Sequence, residues 1–137
     1  MKVDLNNIHQ IILLDKNGCI HFSSDTIFST NHYNGKSILN DNPFIESVFS
    51  QLLDLEVDGP TLRYSKMENP IPLLKGAFDF SFSRVRVKEG EFILWCVYDY
   101  SELYKKIKAS QQRRNELELY KERLEGNSKK INSIQDF

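Results

Sequence analysis

Apolar residues fall in short runs through the first hundred positions, then give way to a charged stretch from Glu102 to Glu125. The run Ile11-Ile12-Leu13-Leu14 within Gln10–Asp15 predicts a strand, and Cys19–Phe22 its return. Between them Asp15-Lys16-Asn17-Gly18 carries the Asn-Gly signal of a tight turn, because both residues tolerate positive φ. Ser23 to Tyr33 is weakly patterned and predicts a brief helix holding Ile27 and Phe28. Asn40-Asp41-Asn42-Pro43 reads as a helix start, and Phe44, Ile45, Val48, Phe49, Leu52 and Leu53 recur at the three- and four-residue spacing of an amphipathic helix. Asp58-Gly59-Pro60 ends it. Thr61–Ser65 predicts a strand, and the stretch from Met67 to Lys75, with Pro70 and Pro72, a loop.

Gly76 opens a strongly alternating segment. Phe78, Phe80 and Phe82 share one face, and Asp79, Ser81 and Ser83 the other. At Arg84 the polarity swaps to Val85 and Val87, which marks a bulge or the end of burial. Lys88-Glu89-Gly90-Glu91 predicts a hairpin turn. The strand that follows is the strongest in the chain: Phe92, Leu94, Cys96 and Tyr98 on one face, Ile93, Trp95 and Val97 on the other. Both faces are apolar, so both are expected to be covered. Leu94, Cys96 and Tyr98, with Phe44, Phe49, Phe78, Phe80 and Phe82, are the candidate lining of an apolar pocket in the interior. Ile93, Trp95 and Val97, with Leu103 and Ile107, are expected on the outer sheet face or at a dimer contact.

Asp99 stands three residues before Glu102, the spacing of a capping box, with Ser101 as a competing cap. From Leu103 the positions 103, 110, 117, 124 and 131 read Leu, Ser, Leu, Leu, Ile, whereas Ile107 is followed at its own spacing by Arg114 and Lys121. This is a partial coiled-coil seam. A dimer seam and a solvated helix packed on its own domain both fit it. Gly126-Asn127-Ser128 is expected to weaken the helix. The expected organisation is an N-terminal segment (1–9), a globular domain (10–100), a helix (101–125) and a flexible or truncated tail (126–137). The expected fold is α+β: one five-stranded antiparallel sheet with short helices on one face and a long C-terminal helix.

Composition narrows the function classes. The 137 residues are 40% hydrophobic and 12% aromatic, enough for a real core, and the net charge of −1 does not suggest a nucleic-acid partner. No apolar run approaches about 18 residues, so no membrane segment is expected within this chain. The N-terminus lacks a secretory pattern, and Cys19 and Cys96 lie in strand-like runs as expected of buried reduced thiols. A cytoplasmic setting follows.

Candidate chemistry is sparse. Gly35-Lys36-Ser37 ends like a phosphate-binding loop, but Thr30 stands where that loop needs its first Gly. His9, His21 and His32 have no second ligand at metal spacing, and Asp54, Glu56 and Asp58 read as a solvated helix end. No nucleophile signature appears, so neither a catalytic nor a metal site is expected, and the chain is read as non-enzymatic. The aromatic set Phe44, Phe49, Phe78, Phe80, Phe82 and Tyr98 fits two readings, an apolar ligand pocket or a filled core.

Three segments resemble a PAS domain, the sensor module of bacterial signalling proteins. Leu14-Asp15-Lys16-Asn17-Gly18-Cys19-Ile20 resembles its first hairpin, Gly35-Lys36-Ser37-Ile38 its Gly-Lys connector, and Val97-Tyr98-Asp99-Tyr100-Ser101 its terminal Asp-x-Thr/Ser motif. The likeness spans about residues 8–125. Ser24 stands near the position where the family often has Asn. The resemblance implies a homodimeric sensor, Asp99 and Ser101 as relay residues, and a helical output to a downstream kinase, cyclase or phosphatase domain. The Asn-Cys-Arg-type motif of the flavin-binding branch is missing, so flavin is not expected, nor is haem; the core is expected to hold a small apolar ligand or none. Residues 101–137 contain no His, so the phosphoacceptor of a histidine kinase would lie elsewhere.

Overall fold

The computed structural model describes residues 9–71 and 74–135, with side chains as far as Gly126. The expected segment 1–9, apart from His9, and the Ile131 side chain lie outside the described residues. The chain separates into two compact units, residues 1–101 and 102–137.

The first unit is α+β. Strands β1 (His9–Leu14), β2 (Ile20–Ser23), β3 (Leu62–Glu68), β4 (Ala77–Val87) and β5 (Gly90–Asp99) form one antiparallel sheet in the order β2-β1-β5-β4-β3. Two single 3-10 turns, Asn31–Tyr33 and Ile38–Asn40, and helix α1 (Pro43–Leu53) intervene between β2 and β3. Local chemistry explains the boundaries. Gly18 has φ +80° in the first turn, and the Asp15 carboxylate accepts from the N–H groups of Asn17 and Cys19, both at 2.9 Å. Asn42 caps α1 by accepting from the Ile45 N–H, with Pro43 in the first turn.

Ile45, Val48, Phe49 and Leu52 of α1 join Phe80, Phe82 and Trp95 of the sheet in one core cluster. The polarity swap at Arg84 is not a bulge, because the β4–β5 register runs unbroken from Phe78↔Asp99 to Val87↔Gly90. It is the end of the core face. Arg84 turns its guanidinium to the C-terminus of α1, donating to the Leu53 carbonyl at 2.6 Å, and pairs with Glu91 at 2.9 Å.

The register also reverses the expected faces of β5. Trp95 stands opposite Phe82 on one side and Ile12 on the other, and Val97 opposite Phe80 and Gln10. Directly paired residues share a face. Ile93, Trp95 and Val97 are therefore core residues, 2%, 0% and 0% exposed. Leu94, Cys96 and Tyr98, paired with Ser83, Ser81 and Asp79, lie on the opposite face and do not join the Phe78-Phe80-Phe82 set.

The second unit holds helix α2 (Ser101–Gln135), 35 residues long, from Glu102 onward. It runs through Gly126 and does not stop there, in contrast to the expected boundary at 125. One Gly costs a helix interior about 1 kcal/mol relative to Ala, which a long helix absorbs. Leu103, Ile107, Leu117, Leu119, Tyr120 and Leu124 are all exposed along it. No helix among the described residues is long and apolar enough to cross a membrane.

Candidate functional site at the strand-to-helix junction

Strand β5 ends at Asp99 and α2 begins at Ser101. Asp99 Oδ1 accepts from the Ser101 backbone N–H at 3.0 Å and from the Ser101 hydroxyl at 2.6 Å. The same hydroxyl oxygen accepts from the Ala77 N–H at 3.0 Å, and the Ala77 carbonyl accepts from the Tyr100 N–H at 3.0 Å. Strand β4 is thus tied at its first residue to the first residue of the helix. The expected pairing of Asp99 with Glu102 takes a different form: Asp99 bonds two residues ahead, and Glu102 makes an exposed ion pair with Lys105 at 3.5 Å. The two relay candidates, Asp99 and Ser101, are directly bonded to each other.

Sequence reasoning missed the other half of the junction. The Asn69 N–H donates to the Gly76 carbonyl, and the Gly76 N–H to Asn69 Oδ1, both at 2.9 Å. The available signal was Gly76 itself, a glycine immediately before a strand.

The expected apolar pocket is divided. Phe78, Phe80, Phe82 and Phe49 are buried in the core; Phe44 is half-buried against Tyr64 and Phe80, at ring separations of 5.0 and 6.0 Å. Trp95 completes the group, edge-on to Phe80 at 5.2 Å and stacked on Phe82 at 6.0 Å. Its Nε1 and the Nδ2 of fully buried Asn42 have no hydrogen-bond partner among the described residues. On the opposite face Tyr98 stacks on Tyr100 at 5.8 Å, and burial pushes its phenol pKa up. Phe80 and Tyr98 help line a cleft of about 90 Å3 with Arg63, Ser65, Asp79 and Ser81. A cleft of about 210 Å3 lies beside Ile20, Thr30, Asn31 and Tyr33. Burial, then the Asp41 carboxylate, raises the Tyr33 phenol pKa, so that group stays neutral.

Among the described residues no three His, Cys, Asp or Glu side chains gather as a metal site would require. No protein-family model, curated protein or solved structure matches the chain.

Proposed function

We propose that the chain is a PAS-like sensory and dimerisation module of a bacterial signal-transduction protein, relaying a conformational change through α2 to an output domain such as a histidine kinase. The observation that carries this reading is the junction. A central strand, hydrogen-bonded on both sides, passes through the Asp99–Ser101–Ala77 network into a 35-residue helix. Helices in proteins draw most of their stability from packing an apolar face, so this one gains stability from a partner. Its exposed Leu103, Ile107, Leu117 and Leu124 supply the seam for a second copy. Two buried donors without an acceptor among the described residues, Trp95 Nε1 and Asn42 Nδ2, support a core that takes a small molecule.

Two substitutions test the relay and the seam. Asp99→Ala removes the acceptor for the Ser101 N–H and hydroxyl, a cap loss of about 1 kcal/mol. The unfolding midpoint should fall by only a few degrees, while a full-length parent loses the response of its output to stimulus. Equal loss of folding and response would remove the relay role. Leu117→Ala combined with Leu124→Ala should raise the dimer dissociation constant roughly tenfold or more, read by sedimentation equilibrium.

A second reading, a ligand-free dimerisation scaffold, draws on the close ring contacts of Phe80, Phe82 and Trp95, at 5.2–6.1 Å, which fill that part of the core. Native mass spectrometry separates the two. A small molecule bound in fixed stoichiometry supports the sensor; a dimer of bare chains supports the scaffold.

A further inference from the structure

The relay reading identifies Asp99 and Ser101; the structure points to what holds them from the other side. Gly76 has φ +131°, and a Cβ built there would stand 2.3 Å from Ser101 Oγ and 3.2 Å from the Phe78 ring. The backbone at 76 therefore approaches Ser101 as closely as only glycine permits. Asn69, itself at φ +45°, closes the β3–β4 connection onto Gly76 with its two 2.9 Å hydrogen bonds. Ala77, the next residue, commits both its backbone groups to Ser101 and Tyr100. Ile71 and Leu74, in the same connection, are 5% and 7% exposed and belong to the core cluster.

We propose that the Asn69–Gly76 pair is a positioning element for the start of α2, so that changes in the core reach Ser101 through the β3–β4 connection. The proposal rests on the relay reading of Asp99 and Ser101 and adds the place where a change enters. Strand β5 is a poor entry point. It is held by a ladder to β1 from His9↔Tyr98 to Leu14↔Ile93 and by another to β4 along its whole length. Doubly laddered central strands open last, whereas connections open first. The β3–β4 connection has buried apolar residues on the core side and the Gly76–Ser101 contact on the other. Its described residues touch both.

The test is amide exchange by NMR on the full chain, read at the Tyr100 and Ser101 N–H groups. Asn69→Ala and Gly76→Ala should each accelerate exchange at both amides about tenfold while leaving the β1–β5 ladder at Ile11–Leu13 unchanged. Ser101→Ala removes the oxygen that a residue-76 Cβ would strike, so Gly76→Ala should add less than its single effect in that background. Acceleration confined to residues 69–77, or full additivity in the double variant, overturns the proposal. If Gly76→Ala does not fold, Asn69→Ala and its double variant with Ser101→Ala carry the same comparison. If Ser101→Ala alone opens the junction and the residue 69 and 76 variants do not, this inference fails and the relay reading stands. If Ser101→Ala also leaves Tyr100 protected, the relay reading fails with it.

Discussion

Trp95→Ala should cost the domain about 3–5 kcal/mol, the range for deleting a large buried aromatic. A domain of this size is stable by about 5–15 kcal/mol, so the loss takes a large share of the total. The indole is fully buried, with rings of Phe80 and Phe82 at 5.2 and 6.0 Å and Phe28 at 6.3 Å. Those neighbours belong to strand β4, which is held in the sheet, and to a loop, and cannot collapse together into the space. Leu94→Ala, one position earlier on the opposite face and half-exposed, should cost about 1 kcal/mol. Urea denaturation of the two variants checks this. A Trp95 variant as stable as the Leu94 variant would mean that the core lies on the other face of β5.

The second large effect belongs to Gln10. It is fully buried and stands opposite Val97 on the core face. Its carboxamide is completely used: Oε1 accepts from the N–H groups of Ile27 and Phe28 at 2.9 and 2.8 Å, and Nε2 donates to Ser23 Oγ and the Phe28 carbonyl at 2.9 and 3.0 Å. The side chain thus acts as a short piece of strand for a loop that has no strand partner of its own. Gln10→Ala leaves three backbone groups without their partner and should cost about 2–5 kcal/mol, measured by chemical denaturation. Gln10→Glu gives a sharper test. A carboxylate would face the Phe28 carbonyl with no proton to donate, whereas the neutral acid can donate one. The pKa of that Glu in the folded state should therefore rise above its unfolded value of about 4.3. The gain from the neutral form is fully present below that unfolded value and is lost as pH rises through the folded one. The variant should thus come closest to the parent near pH 4 and fall furthest behind it at pH 7. A stability difference from the parent that does not change with pH would show that Gln10 is not held as described.

These two residues also show where sequence reading stopped. The first hairpin was legible because Asn17-Gly18 admits few turn geometries. The start of α1 was legible from Asn42-Pro43, and β4 from its alternating Phe residues. The sign of β5 was not legible from β5 itself, since apolar residues on both faces leave period-two alternation without a direction. The deciding signal lay in the neighbouring turn. A hairpin loop with an even number of residues between Val87 and its partner pairs even-numbered positions of β4 with odd-numbered positions of β5. The Phe80 and Phe82 face must then carry Trp95 and Val97. The observed pairing of Val87 with Gly90 meets that condition. Gln10 gave no such warning, because a polar residue at the head of an apolar run usually marks an exposed strand end.

Whereas the expected helix at Ile27 and Phe28 is replaced by bends, the sequence alone determined the order of the strands and of α1, the Asn17-Gly18 turn, the Asn42 cap, the antiparallel α+β class and the two residues that join strand to helix. Each of these depends on residues within a few positions of one another, where steric limits and backbone hydrogen bonds act directly. Only the tertiary structure fixed the β4–β5 register that the turn left to be read, that Gln10 holds the 27–28 loop, that Arg84 closes α1, and that Gly76 abuts Ser101. The last three join residues 17 to 31 positions apart. They are settled by strand register, which is chosen by the combined burial of the whole sheet face and not by any one segment.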